Sequence, residues 1–108
     1  MSYKVVTIKA FDDNAKKLSK KYPSLKNDLS ELIEKLEKEP FTGISLGHGC
    51  YKIRLKIRSK GKGKSGGGRV ITYVYIVAET VFLLSIYDKS DIADMEDHEL
   101  IDLLKEIE

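Results

Sequence analysis

The chain has 108 residues, of which 42% are hydrophobic and 33% charged, and its net charge at pH 7 is +2. This composition predicts one globular domain over residues 1–108, with a small core and a strongly charged surface. It excludes a membrane-spanning helix, because no apolar run approaches the roughly 18 residues that one needs. The single cysteine, Cys50, excludes an internal disulfide, and an N-terminus without a signal-peptide pattern favours a cytoplasmic protein.

The first forty residues predict one strand and two helices. Residues 3–10 (YKVVTIKA) are β-branched and apolar, which is typical of a strand. A first helix should follow it and end at Pro23. A second should run from Ser24 to Pro40, because five apolar residues at helical spacing form one stripe: Leu25, Leu29, Leu32, Ile33 and Leu36.

Three strands and a last helix are predicted after Pro40. Residues 51–58 alternate strictly between apolar and basic side chains, which indicates a strand with one buried and one exposed face. Residues 69–77 and 81–87 are apolar at nearly every position and indicate central strands. A short acidic helix should then contain Leu100, Leu103, Leu104 and Ile107. The predicted fold class is α+β, in the order β-α-α-β-β-β-α, with two N-terminal helices packed on one face of a small antiparallel sheet.

The small net charge hides a separation of charge along the chain. Between Glu39 and Glu79 no residue is acidic, and this interval holds eight basic ones: Lys52, Arg54, Lys56, Arg58, Lys60, Lys62, Lys64 and Arg69. From Glu79 onward there are ten acidic residues against two lysines. This pattern predicts a polyanionic partner for the middle of the chain, and it would suit a basic partner at the tail.

The basic residues of the middle segment predict a nucleic-acid interface. One strand face should carry four cations about 6.6 Å apart, which suits an extended single strand of nucleic acid: Lys52, Arg54, Lys56 and Arg58. Three lysines on glycine spacers follow, so backbone N–H groups can approach phosphates: Lys60, Lys62 and Lys64. Tyr73 and Tyr75 on the next strand would offer stacking surfaces if their face is open. The alternative is an edge strand whose lysines discourage aggregation, followed by a solvated segment.

Residues suited to RNA cleavage are predicted at one edge of the sheet. Attack by the RNA's own 2′-hydroxyl needs a proton acceptor and cations that stabilise charge on the phosphorane. If the last two strands form a hairpin, Arg69 lies near Tyr87 and Lys89, with the first basic strand beside them. Two structural alternatives stay open, in which Arg69 pairs with an acid and Tyr87 belongs to the core.

Other reactive residues are weaker candidates. His48 lies between two glycines without a visible acidic partner, and His98 lies in an acidic helix start, as surface residues do. Cys50 precedes an apolar strand and is more typical of a core residue than of a nucleophile. Three carboxylates near the end of the last strand more often cap and solvate a helix than bind a metal: Asp88, Asp91 and Asp94. We therefore predict neither a metal nor a cofactor.

Two stretches of the chain resemble a known family. CYKIRLKIRSKGKGKSGGGRVITYVYIV, followed by VFLLSIYDKSDIADM, is similar to toxins of bacterial type II toxin–antitoxin pairs, the RelE/ParE superfamily. The glycine–lysine insertion and the IYDK segment are nearest to its HigB-like branch. The resemblance implies a RelE-like fold and a ribosome-dependent endoribonuclease that cuts mRNA without a metal and so inhibits translation. It also implies a cognate antitoxin that covers this surface or displaces the C-terminal helix.

The predicted site combines this resemblance with the residue pattern. The catalytic residues are Arg54, Arg69, Tyr87 and Lys89. The residues that bind RNA or the ribosome are Lys52, Lys56, Arg58, Lys60, Lys62 and Lys64. The resemblance aligns Lys52 and Arg54 with basic strand positions, Arg69 with the arginine that opens the next strand, and Lys89 with a basic residue after the last strand. One branch has a catalytic tyrosine where this chain has Met95, so Tyr87 or a lysine is predicted to accept the proton.

Two other functions stay open from the sequence. One branch of the superfamily inhibits DNA gyrase instead of cutting RNA, and the fold alone does not choose between the branches. A non-catalytic module that binds nucleic acid or an antitoxin is the third possibility. The dense row of lysine and arginine, together with Arg69 and Lys89, favours the nuclease.

Overall fold

A five-stranded sheet with helices on both faces forms the fold. The computed structural model describes residues 2–61, 66–91 and 95–107. The strands are β1 (Lys4–Thr7), β2 (Ile44–Gly47), β3 (Cys50–Leu55), β4 (Gly68–Tyr75) and β5 (Thr80–Asp88). The helices are α1 (Lys9–Lys21), α2 (Leu25–Lys38) and α3 (Asp97–Lys105), and one 3-10 turn spans Arg58–Lys60. The strand order across the sheet is β1-β5-β4-β3-β2.

The predicted α+β fold is confirmed, with two differences in the sheet. Residues 44–47, expected to be part of a connection, form β2, which pairs antiparallel with β3. β1 pairs in parallel with β5, so the sheet is mixed instead of purely antiparallel. A parallel neighbour requires a long crossover connection, and here the chain leaves β1 through two helices and three further strands before β5 arrives beside it.

The first two helices cover one face of the sheet, as predicted. The apolar stripe of α2 is buried at Leu25, Leu32 and Leu36 and partly buried at Leu29 and Ile33. These side chains belong to one core with apolar residues of the central strands, among them Ile53, Val70, Leu83 and Ile86. Burial of each large apolar side chain contributes about 1.5–3 kcal/mol, so this face supplies much of the stability.

The third helix lies on the opposite face. Its residue Leu100 is buried in a second cluster with Cys50, Ile71, Leu84 and Tyr87. A capping box begins the helix, since the side chains of Glu96 and Glu99 each accept a hydrogen bond from the other residue's backbone N–H. None of the helices in the described residues has the length and apolar character that crossing a membrane requires.

Candidate nucleic-acid interface

Three of the predicted catalytic residues form one row across the centre of the sheet. Arg54 of β3 lies opposite Arg69 of β4, and Arg69 lies opposite Tyr87 of β5. Residues at facing positions share one side of a sheet, with Cβ atoms about 4.5–5.5 Å apart. The hairpin predicted from the sequence therefore does bring Arg69 beside Tyr87. Two like charges at facing positions are unfavourable unless an opposite charge is near.

The row is exposed at one end and buried at the other. Arg54 is exposed, whereas Arg69 is 5% exposed and Tyr87 is 6% exposed. One guanidinium nitrogen of Arg69, Nη1, donates to the carbonyl oxygen of Gly68 at 3.0 Å. Tyr87 packs in the same cluster as Leu100 of α3. Tyr87 is therefore a core residue, which was one of the two alternatives left open by the sequence. A ligand can reach Arg54 directly, and it reaches Tyr87 only if the covering residues move.

A cavity of about 320 Å³ lies beside Tyr87, between α1, β5 and α3. Met95 lines it together with Tyr87 and packs against the cluster that contains Tyr87. Three carboxylate side chains of the tail also line the cavity: Glu99, Asp102 and Glu106. The acidic tail thus folds onto the sheet face that carries the basic row.

Lys89, the fourth predicted catalytic residue, directly follows β5. It lies two residues beyond Tyr87 and is half-buried. Its backbone N–H donates to the carbonyl oxygen of Gly67 at 3.1 Å. Lys89 is therefore held at the same end of the β4–β5 hairpin as Arg69.

The carboxylate before it, Asp88, is buried and fully engaged. Tyr22 Oη donates to Asp88 at 2.6 Å, the N–H of Ser90 donates at 2.9 Å, and Lys60 forms an ion pair with it. Burial alone would raise the pKa of Asp88, but the hydrogen bonds from Lys60, Tyr22 and Ser90 outweigh it and hold the pKa well below its usual range. Of the three carboxylates considered for a metal, Asp88 is in this ion pair, Asp91 is exposed, and Asp94 lies outside the described residues.

The six predicted RNA-binding residues divide into three groups. Lys56 is exposed and Lys52 is half-buried, both along β3 or just after it. Arg58 and Lys60 form intramolecular ion pairs. The remaining two, Lys62 and Lys64, lie outside the described residues.

Arg58 does not extend the row of strand cations. The strand ends at Leu55, and Arg58 opens the 3-10 turn that follows. Its guanidinium binds Glu31 through both terminal nitrogens, with Nη2–Oε1 at 2.8 Å, and lies 3.4 Å from Asp28 Oδ1. Of the four cations predicted on this strand, Lys52 and Arg54 therefore lie on β3, Lys56 directly follows it, and Arg58 is turned toward α2.

An open groove of about 610 Å³ runs between α2 and β3. Leu32, Ile53 and Leu55 give it an apolar floor, and five basic residues line it as well: Lys35, Lys52, Arg54, Lys56 and Arg58. Within the described residues, β2 pairs with β3 only as far as Lys52, so the strand edge beyond that point borders the groove. The groove lies on the sheet face that α1 and α2 cover, and it borders β3 at Arg54, the exposed end of the row on the opposite face.

The weaker candidates lie away from the row. Cys50 is fully buried, and burial raises the pKa of its thiol to about 11, which makes it the core residue that was predicted. His48 is exposed in the turn between β2 and β3, six residues from Arg54, or about 20 Å along a strand. His98 is exposed and pairs with Glu96 at 3.3 Å. With Glu99 these two form an exposed cluster, and the capping box accounts for the closeness of its glutamates.

The two tyrosines proposed as stacking surfaces pack on each other. The rings of Tyr73 and Tyr75 are stacked with centroids 6.4 Å apart, and Tyr73 also stacks on Phe82 at 6.1 Å. Tyr75 is 41% exposed, so one ring face is open to a ligand. They lie on the same sheet face as Arg69, four and six residues along β4.

Sequence reasoning missed the acidic partners of the turn. Asp28 and Glu31 hold Arg58, and Asp88 holds Lys60. A signal existed for Asp28, because it falls on the apolar stripe of α2 and an acid at such a position needs a buried partner.

Comparison with known proteins agrees with the fold and the order of its elements. The family model described as the RelE toxin of the RelE/RelB toxin–antitoxin system matches residues 4–107. A mutant of the Escherichia coli toxin RelE in the free state is 17% identical, with both chains fully covered and a TM-score of 0.66. The RelBE2 toxin–antitoxin complex of Mycobacterium tuberculosis contains a chain 16% identical over 84% of this chain and 95% of that one, with a TM-score of 0.58. These two likenesses show a shared fold.

Proposed function

This chain belongs to the family of RelE toxins from RelE/RelB toxin–antitoxin systems, and on that premise we propose that it is a ribosome-dependent endoribonuclease that cuts mRNA. The resemblance to the RelE/ParE superfamily is thereby confirmed, whereas the HigB-like branch stays a prediction. The observation that carries the proposal is the row of Arg54, Arg69 and Tyr87, which the sheet register brings together and whose exposed end, Arg54, also borders a cationic groove.

The proposed roles follow from the chemistry of the side chains. Attack by the RNA 2′-hydroxyl gathers negative charge on the phosphorane, and guanidinium groups stabilise it through paired, charge-assisted hydrogen bonds. Arg54 and Arg69 supply these groups from facing positions. Tyr87, at the other end of the row, accepts the proton in its phenolate form, with Lys89 in its neutral amine form as the alternative acceptor. Met95 stands where one branch of the superfamily has a tyrosine, and a thioether cannot fill that role.

The groove between α2 and β3 gives the RNA a path that reaches the row around the edge of β3 at Arg54. Lys52 and Lys56 line it as phosphate contacts, and Lys62 and Lys64 belong to the same basic segment of the sequence. Because the exposed end of the row is Arg54, we place the scissile phosphate there first. Access to Tyr87 then requires that α3 or Met95 move on the ribosome.

The proposed setting is a toxin–antitoxin module in the bacterial cytoplasm. The RelBE2 structure is a toxin–antitoxin complex, and it supports a cognate antitoxin as the partner of this chain. The ribosome and mRNA are the proposed targets once that antitoxin is gone.

One observation favours a second candidate function. Arg69 and Tyr87 are almost fully buried, as residues of a protein that binds without cleaving would be. A non-catalytic binder of nucleic acid or antitoxin is therefore the alternative, and inhibition of gyrase is the other activity open to the superfamily.

The test is induced expression in a bacterial host, followed by mapping of mRNA 5′ ends. Wild type should arrest growth and produce new cuts in phase with codons. Arg54→Ala should reduce cleavage by about 100-fold, the usual effect of losing one donor to a developing oxyanion. Lys17→Ala, an exposed lysine of α1, is the matched control and should cleave like wild type.

Each other outcome of this experiment points elsewhere. Growth arrest with intact mRNA would favour inhibition of DNA gyrase over cleavage of mRNA. Soluble protein without arrest would favour the non-catalytic binder. Equal cleavage by Arg54→Ala and wild type would show that Arg54, and with it the proposed row, does not take part in cleavage.

A further inference from the structure

A buried ion pair between Lys60 and Asp88 lies at the end of β5, next to Tyr87 of the candidate site. The ammonium of Lys60 contacts Asp88 Oδ1 and also donates to Ser90 Oγ at 2.9 Å. The two charged side chains are 8% and 0% exposed, and Tyr22 Oη donates to the other carboxylate oxygen at 2.6 Å. We call this pair the Lys60–Asp88 lock.

The chain on both sides of residues 62–65 is held at the end of β5. Lys60 precedes residues 62–65 and is bound by the side chain of Asp88. On the other side, Gly68 lies opposite Asp88 in the sheet, and the carbonyl of Gly67 accepts a hydrogen bond from Lys89. The last residue of β5, Asp88, and the residue after it, Lys89, therefore hold both flanks of the segment.

The other two residues of the 3-10 turn are anchored to α2 and to the residue before it. Arg58 binds Glu31 and Asp28 of α2, and its backbone N–H donates to Asp28 Oδ2 at 3.2 Å. The N–H of Ser59 donates to Ser24 Oγ at 2.8 Å. With all three turn residues engaged, Lys60 cannot turn to a phosphate unless the lock breaks. Breaking it would leave the buried carboxylate of Asp88 with the more distant and largely exposed Lys21, 3.8 Å from Oδ2, as its cation, which is unfavourable.

We propose that Lys60 and Asp88 are positioning residues, which fix Lys89 and Arg69 relative to the RNA, and that Lys60 makes no contact with RNA. Lys89 directly follows Asp88 in the chain, and Arg69 directly follows Gly68, so a shift of the lock moves both. Misplacing catalytic groups by about 1 Å can cost about 100-fold in rate. The proposal changes the role predicted for Lys60 from the sequence, and its catalytic part rests on the proposed nuclease function.

The first experiment separates positioning from phosphate contact. Lys60→Met is compared with Lys56→Met, a matched change at an exposed lysine four residues earlier. Ribosome affinity is measured against salt, where each phosphate contact on a single strand contributes about 0.7 to the slope. Lys56→Met should lower the slope by about 0.7. Lys60→Met should keep the wild-type slope and lower kcat about tenfold or more with little change in KM.

An equal fall of the salt slope in both variants would overturn the proposal, because Lys60 would then be a phosphate contact. An unchanged kcat in Lys60→Met would overturn it as well.

The second experiment does not depend on cleavage. Hydrogen exchange of the Lys89 amide, followed by NMR, reports the bond to Gly67 that the lock supports. Lys60→Met and Asp88→Asn should each speed this exchange about tenfold relative to amides of β1. The double variant Lys60→Met with Asp88→Leu replaces the pair by apolar side chains and should restore both protection and kcat.

Tyr22→Phe is the milder variant, for use if the Asp88 variants do not fold. It removes one hydrogen bond to Asp88 and should speed Lys89 exchange about threefold. Unchanged exchange in every variant that folds would overturn the lock. If wild type never cleaves, the proposed function fails, and the exchange measurement still decides whether the lock exists.

Discussion

At the residue scale, a basic side chain of this protein is available to a ligand only where no carboxylate already holds it. Lys56, Arg58 and Lys60 alternate along one stretch and look equivalent in the sequence. In the structure Lys56 is exposed, whereas the other two are bound by Glu31 and Asp88. Fewer basic side chains are therefore open to a ligand than the basic segment of the sequence contains.

Asp88 is expected to make the stability of the protein sensitive to acid. Its pKa in the fold lies below the unfolded value of about 4, so the carboxylate stabilises the fold above that pH. This contribution is lost as the pH falls below about 4 and the native state has to take up the proton. Asp88→Asn should lower the free energy of unfolding at pH 7 by about 3 kcal/mol, because it leaves the cation of Lys60 buried and unpaired.

Urea unfolding at pH 7, 4 and 3 tests this expectation. The stability of Asp88→Asn should fall less than that of wild type between pH 4 and 3. Parallel losses in the two proteins would assign the acid sensitivity to other carboxylates.

At the scale of elements, α3 covers Tyr87, the buried end of the row of Arg54, Arg69 and Tyr87. Its residue Leu100 is 2% exposed and packs in the cluster that contains Tyr87. Its neighbour Ile101 is 40% exposed and points away. The inner side of this nine-residue helix, through Leu100, therefore covers Tyr87.

Leu100→Ala should loosen this cover. The cavity that it leaves should cost about 2–4 kcal/mol and speed hydrogen exchange across residues 97–105 and 83–88. Ile101→Ala is the matched control on the exposed side and should change stability by less than about 0.5 kcal/mol. Exchange mass spectrometry with urea unfolding measures both, and equal effects of the two variants would mean that Leu100 does not hold the helix.

The elements that could be predicted are those whose signal is local. The stripe of α2 and the alternation of residues 51–57 follow from burial on one side, and both are present. β2 could not be predicted, because three of its four residues are exposed and its pattern carries no period. The direction of β1 could not either, since four residues give no sign of a partner that lies 76 positions away.

The candidate site was predictable to the same degree. The hairpin of β4 and β5 sets the register, so the closeness of Arg69 and Tyr87 followed from turn position alone. The burial of Tyr87 did not, because it depends on how α3 packs. The ion pairs of Arg58 and Lys60 reach partners 27 and 28 residues away, a distance at which sequence pattern is silent.

At the scale of the whole molecule, the fold brings together charges that the sequence keeps apart. The basic middle and the acidic tail meet on one sheet face, where tail carboxylates line the cavity beside Tyr87. A polyanion that approaches the row therefore also meets the negative field of α3. This arrangement should slow association with RNA and make it depend on salt.

Removing tail charges should speed association with ribosomes. The double variant Asp102→Asn with Glu106→Gln is compared with Asp12→Asn with Glu34→Gln, which removes the same charges from α1 and α2. The tail variant should raise the association rate about threefold or more at low salt, and the rates should converge at high salt. Stopped-flow binding measures this, and equal increases in both variants would show that net charge matters and position does not.

The place of β5 in the sheet has a consequence for the synthesis of the chain. β5 lies between β1 and β4, and it is the last strand to be made. Until the ribosome has released it, β1 has no partner in the sheet, and Tyr87 does not exist to complete the row. Non-local pairing of this kind also forms slowly. A growing chain therefore lacks the assembled row of Arg54, Arg69 and Tyr87 until β5 has left the ribosome.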